Sequence, residues 1–269
     1  MFVVTKTLKL FSSLILNTFA HYSFSNRLEY IKLRLRWHDP PAIKCIVDES
    51  ICIQQTFVLS LNTSLKRRSI IKNRFDKEKV NYTITDGIVW PDICKFPNAI
   101  STRSANHLSK GSIGCWLGHY SIWIDIVNRK LEHSIIFEDD IILAKNFNKK
   151  LDYALEAVPP DFDILFLNSG NNYPHNKRVI INEKIFIPYQ IRNGAYGYII
   201  SYIGAKKLLS MVPNIQVTRG GVDSAIGSLI RNKNIKAYHF NKPLCWVDFS
   251  LGSIAVSGTV YPCLGDWAW

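Results

Sequence analysis

The sequence predicts an α/β fold built on a Rossmann-like mixed sheet flanked by helices. Two observations point there. Short runs rich in β-branched and aromatic residues alternate with stretches of helical period. Several strand-like runs also end on polar residues, as at Asn62, Asp86-Gly87, Glu138-Asp139-Asp140 and Asn168-Ser169-Gly170. Sheets of this kind bind ligands beyond the carboxyl ends of their strands.

Thr56 to Leu61 form a first strand, and Ser64 is placed to cap a helix running to about Phe75. That helix opens with Lys66-Arg67-Arg68. Val80 to Thr85 form a second strand. Residues 88–110 hold Pro91 and Pro97 with little period and read as a long loop. Ile113, Trp116, Leu117, Tyr120, Trp123, Ile124 and Val127 then mark a strong helix over 112–129. Ser134 to Phe137 are a short buried strand. Phe147, Leu151, Leu155 and Val158 mark a helix stopped by Pro159-Pro160. Asp163 to Leu167 are a strand, Val179 to Ile187 a strand or hairpin, and Ala195 to Ile200 another strand. Ser201 is placed to cap the helix of Ala205, Leu208 and Leu209. Gly220-Gly221 open a helix to about Arg231, and Ile235 to Phe240 are the last regular strand. The tail from Cys245 has no clear period.

Residues 1–54 read as an appendage to a domain over 55–269. Residues 8–20 are apolar but too short and interrupted to span a bilayer. They fit a weak signal peptide, a basic amphipathic surface helix with the segment that follows, or an ordinary packed helix. Asp39-Pro40-Pro41 breaks the pattern. The 47% hydrophobic content excludes a disordered chain. A net charge of +12 favours polyanionic partners, but the scattered basic residues match no nucleic-acid module. An anionic membrane face or a phosphorylated ligand fits better. Six cysteines without zinc spacing read as reduced core thiols, although an even count also permits disulfides.

Glu138-Asp139-Asp140 carry the strongest chemical signal. Adjacent acids between apolar runs repel one another, and a hard divalent cation such as Mg²⁺ or Mn²⁺ relieves that. Strand alternation puts Glu138 and Asp140 on one side for metal and Asp139 on the other, free for a ribose hydroxyl. Alone, the triplet fits an acidic turn capping the next helix better than a metal site.

Five segments in order resemble glycosyltransferase family 25, which includes bacterial lipooligosaccharide galactosyltransferases and collagen galactosyltransferase domains. They are Val58 to Asn62 with Arg67-Arg68, Gly111 to His119 with Trp123, Ile136 to Asp140, Phe162 to Leu167, and Gly194 to Ser201 followed by Ala205 and Val222-Asp223. The resemblance spans roughly residues 56–255. Ser112 stands where the family usually has an acid, and Gly118 where it has Ser.

The resemblance implies a GT-A-like nucleotide-diphospho-sugar transferase fold. It also implies inverting transfer of a hexose, galactose from UDP-galactose, to a saccharide acceptor with Mn²⁺ or Mg²⁺. Lipooligosaccharide, lipopolysaccharide or another surface glycan is the expected pathway. Glu138 and Asp140 are then metal ligands, with a late third ligand at Asp248 ahead of His239. Arg68 is expected on the diphosphate, with Arg67 a solvated basic residue. Asp86 and Asp139 are expected on the nucleoside, and Asn168 on donor or acceptor. Asp86 equally fits an Asx turn, and Asn168 a simple turn. Asp223 is the expected general base, against a helix-start acid. His119 is expected to be structural. The expected setting is cytoplasmic, free or peripheral on the inner membrane face, and no signal sets an oligomeric state. A metal-dependent phosphohydrolase and a non-catalytic sugar-binding protein are the rival readings.

Overall fold

A computed structural model describes residues 51–89, 92, 96, 99–100, 108–169, 177–191, 193–212, 217 and 221–252. Residues 1–50, which hold nearly all of the expected appendage, lie outside the described residues. So does most of the long loop over 88–110.

The elements follow in order. Strand β1 is Gln55–Ser60, helix α1 Leu65–Glu78 and β2 Thr83–Asp86. Helix α2 is Lys110–Arg129, followed by β3 His133–Glu138, β4 Ile141–Leu143 and α3 Phe147–Leu155. Then come β5 Ile164–Phe166, β6 Val179–Ile180, β7 Ile185–Ile187 and β8 Gly197–Ser201. Helices α4 Tyr202–Met211 and α5 Gly221–Arg231 precede β9 Ala237–Phe240 and β10 Cys245–Val247.

Eight strands form one mixed sheet in the order β2-β1-β3-β8-β5-β9-β7-β6. β1 runs parallel to both β2 and β3, and β5 parallel to β9. β8 runs antiparallel to its neighbours β3 and β5. The carboxyl ends of β1, β2, β3 and β5 therefore share one edge with the start of β8. At that edge the Glu138 amide donates to Tyr196. β4 leaves this sheet and pairs antiparallel with β10.

The central strands are apolar on both faces because helices or loops cover each side. One core joins Phe57, Ile136, Ile164, Phe166 and Tyr198 to Trp116, Trp123 and Ile126 of α2 and to Ile226 and Ile230 of α5. Trp116 and Trp123 meet edge to face at 5.6 Å. Such a pair adds about 1 kcal/mol to the area it buries.

Caps explain two helix starts. Ser109 accepts from the Ser112 amide at α2, and Ser201 accepts from the Gly204 amide at α4. Ser64 stands at the cap position of α1 but makes no side-chain cap. Ser112 sits three residues after the cap, where an acid would reach back to the cap amide. Here its hydroxyl meets that of Ser109 at 2.9 Å. Gly118 also has a local reason. A Cβ there would lie 2.6 Å from a methyl of Leu59, so the larger β1 side chain takes the room a Ser would use.

Two expectations about the chain need correction. The second strand starts at Thr83, not Val80, because Val80 closes the α1 terminus through its amide to Phe75. The last regular strand is not the one ending at Phe240: Cys245-Trp246-Val247 form a further strand paired with β4, and residues 253–269 lie outside the described residues. Among the described residues, no helix is long and apolar enough to cross a membrane.

Candidate active site

The site lies where β3 ends. Strand geometry stops at Glu138, and Asp139 and Asp140 occupy the turn into β4. The expected alternation of the three acids therefore ends at Glu138. Glu138 faces α2, with Cys115 donating to its Oε1 at 3.4 Å and His119 Nε2 at 3.5 Å. Asp139 and Asp140 both face α1, since Arg67 reaches Asp139 at 2.5 Å and Asp140 at 3.5 Å.

Arg67 is the main correction. It is not a solvated basic residue but only 9% exposed. Arg67, Ile71 and Phe75 form the buried stripe of α1 at spacings of four. That spacing was the signal available in the sequence. The guanidinium also donates to the Gly252 carbonyl at 2.6 Å. Asp139 accepts a second bond from Ser60 Oγ at 2.6 Å. Its carboxylate is thus engaged inside the protein by a guanidinium and a hydroxyl.

Asp140 differs. Its Oδ1 is buried and has no hydrogen-bond partner among the described residues. Burial, then the nearby Glu138 charge, push its carboxyl up to about 7 against the pull of Arg67. Burial would raise Glu138 too, but the His119 hydrogen bond and charge hold it below the ordinary carboxylate range.

Asp223 stands in the first turn of α5. Its Oδ1 accepts from the amides of Gly194 at 2.6 Å and Ala195 at 2.7 Å. Burial pushes its carboxyl up to about 6, with a further rise from Glu138, although the two amides oppose it. Asp223 and Glu138 therefore feel one another's charge, so the separate acid expected from the sequence belongs to the same electrostatic cluster.

The other expected residues divide. Arg68 and Asp86 come together as an ion pair at the ends of β1 and β2, with Asp86 exposed. Arg68 also donates to the Ser60 and Leu61 carbonyls. The Gly87 amide donates to the Ser60 carbonyl and so extends the parallel ladder of β1 and β2 by one bond. Asn168 is tied into structure: its Nδ2 donates to Cys245, and its Oδ1 accepts from Ser169. Asp248 lies in the turn after β10. Its carboxylate pairs with Arg74 and accepts from the Ser250 amide and hydroxyl. Its backbone amide meets the Asp140 carbonyl, so Asp248 stands beside the acid turn with its carboxylate engaged by Arg74 and Ser250. His239 is buried between Phe186 and Phe166 and bonds Ser169 at 2.8 Å, outside the acid group.

Among the described residues, the metal-competent donor atoms that converge within 4.8 Å are those of Cys115, His119 and Glu138. Cys115 and His119 went unremarked as a pair, although a spacing of four puts both on one helix face.

Comparison with known proteins adds the family. The sequence profile of glycosyltransferase family 25 (LPS biosynthesis protein) matches residues 53–225. A proposed glycosyltransferase of Haemophilus influenzae is 30% identical over 210 residues, covering 74% of this chain and 72% of that one. Procollagen galactosyltransferase 1-A of Xenopus laevis is 26% identical over 192 residues, covering 64% of this chain. The inactive glycosyltransferase 25 family member 3 of Mus musculus is 26% identical over 229 residues and covers 79%. The chain spans 30% and 38% of the length of these two animal proteins. Extensive family coverage and the acid edge of the sheet lead to one assignment: the chain belongs to glycosyltransferase family 25.

Proposed function

We propose that the chain is an inverting glycosyltransferase that moves galactose from UDP-galactose to a saccharide acceptor in surface-glycan assembly, on a GT-A-like fold. One observation carries this reading. Asp140 Oδ1, a buried carboxylate oxygen with no hydrogen-bond partner among the described residues, sits beside Glu138 at the strand edge. An orphaned, desolvated oxygen is costly unless something binds it. The all-oxygen pair of Glu138 and Asp140 suits Mn²⁺ or Mg²⁺. Bound there, such a cation would neutralise the charge on a departing diphosphate.

The chain's own groups supply the rest. Arg67 and Ser60 hold Asp139, which fixes the turn that aims Asp140. Arg68 and Asp86 form the polar end of the β1–β2 edge, where a nucleoside diphosphate would displace their mutual pairing. Asp223 takes the acceptor proton. Its Oδ1 is anchored by two amides, which leaves Oδ2 outside that pair of bonds. A carboxyl raised to about 6 is a stronger base than an ordinary aspartate and is still ionised at neutral pH. The basic N-terminal segment would bring the enzyme to an anionic inner membrane face.

A second reading, sugar binding without turnover, is favoured by Arg67, because an internal cation already neutralises part of the acid turn. Donor-dependent UDP release across a panel of acceptors separates the two. Transfer that needs Mn²⁺ and both Glu138 and Asp140 supports the enzyme. Donor binding without release supports the second reading. Phosphate release from simple phosphoesters, with no acceptor, would point to a hydrolase.

A further inference from the structure

We propose that Cys115, His119 and Glu138 form a binding site for a thiophilic divalent cation, with Zn²⁺ as its natural occupant. The site shares Glu138 with the acid turn but does not rest on the reading of the transfer reaction.

The geometry is that of a nearly assembled three-ligand centre. Cys115 Sγ and Glu138 Oε1 are 3.4 Å apart, and His119 Nε2 and Glu138 Oε1 are 3.5 Å apart. All three donor atoms lie within 4.8 Å of one another. Ligand atoms around a tetrahedral zinc, with its usual bond lengths, are separated by roughly 3.3–3.6 Å. Small side-chain shifts would close the triangle around an ion. Two ligands come from one face of α2 and the third from the end of β3, so the scaffold is rigid.

The histidine is already oriented for ligation. Metal-binding histidines donate their remote ring N–H to a fixed partner. His119 Nδ1 lies 2.9 Å from the Tyr198 hydroxyl, which also accepts from Trp123 Nε1 at 3.0 Å. The Tyr198 oxygen has two lone pairs and can accept both donors. In that arrangement the bare Nε2 faces Glu138 Oε1, acceptor against acceptor, and a cation between them removes the conflict. The competing arrangement puts a proton on Nε2 and needs no metal.

Access and ligand type complete the case. His119 is fully buried, but the Glu138 side chain keeps 28% of its exposure. An ion can thus enter past the carboxylate and leave a fourth position for water. A thiolate and an imidazole favour Zn²⁺ over the hard cations that suit Glu138 and Asp140. Binding releases the Cys115 thiol proton to solvent.

The test uses the full chain, reduced and metal-free, titrated with Co²⁺ alone and then back-titrated with Zn²⁺. The expected result is a thiolate-to-cobalt charge-transfer absorbance that saturates at one Co²⁺ per chain and is lost on adding Zn²⁺. Cys115→Ser should abolish the absorbance and weaken Co²⁺ binding at least about tenfold. Cys52→Ser, at an exposed thiol, should keep it. Cys115→Ala is run beside it as a second variant, and thermal melts without metal check the folding of both. Absence of the absorbance in the wild type would overturn the proposal in favour of the protonated His119. So would its persistence in folded Cys115 variants.

Discussion

Replacing Asp223 with Asn should make the protein more stable and less active at the same time. The carboxyl is raised from 3.8 to about 6 in the folded protein. Between those values the folded state binds more protons than the unfolded state. Stability is therefore complete below about pH 4 and falls as pH rises through 6. The full difference is about 3 kcal/mol, and partial exposure trims it to about 1–3 kcal/mol. Asn cannot ionise, yet its carbonyl can still accept from Gly194 and Ala195. Asp223→Asn should thus gain about 1–3 kcal/mol at pH 8 and nothing at pH 4. Activity should move the other way. Loss of a general base lowers kcat on the order of a hundredfold or more. Wild-type activity should rise with pH through about 6, and UDP affinity should hardly change. Urea unfolding at pH 4 and pH 8, beside kcat and calorimetric Kd for UDP, reads all of this. A variant less stable at both pH values, with activity lost in proportion, would refute the reasoning and make Asp223 a structural tie.

Glu138→Gln and Asp140→Asn should each abolish Mn²⁺-dependent transfer with the fold intact by circular dichroism, and full wild-type activity in EDTA would contradict this. Mn²⁺ affinity should fall about tenfold per pH unit below 7, because Asp140 must lose its proton to bind, and calorimetry at pH 6 and pH 8 measures it. Arg67→Gln should destabilise the protein by about 3 kcal/mol, the scale for stripping buried carboxylates of their counter-charge, as read by thermal or urea denaturation. A chain starting near Gln55 should keep UDP-sugar binding and lose affinity for anionic vesicles. Loss of donor binding in that chain would place the N-terminal segment within the catalytic domain.

What the sequence disclosed depended on the range of the signal. Helix α2 was legible because its apolar residues repeat over about four turns, and β3 because a β-branched and aromatic run ends abruptly in acids. An α/β sheet followed from the alternation of strand and helix signals, although its mixed directions and order need pairings between distant segments. Arg67 was misread because three adjacent basic residues resemble a wet helix face. Only its register with Ile71 and Phe75 marks it as inward-facing. The partners of Asp139 and Asp248 were not legible, because Arg67 and Arg74 lie 72 and 174 residues away. β10 escaped notice because three residues carry no period; its identity as a strand comes from β4.

The pairing of β4 with β10 also sets an order of assembly. The acid turn is bounded by β3, complete at residue 138, and by β4, whose partner is not synthesised until residues 245–247. Arg67 waits longer, for a carbonyl 185 residues downstream. On the ribosome, the sheet edge near β1 and β3 can therefore form while the turn beside it still lacks its brace. Chains stopped before residue 245 would carry all three acids without the geometry that makes them useful. The geometry of the acid turn is therefore complete only once residues 245–252 have been made.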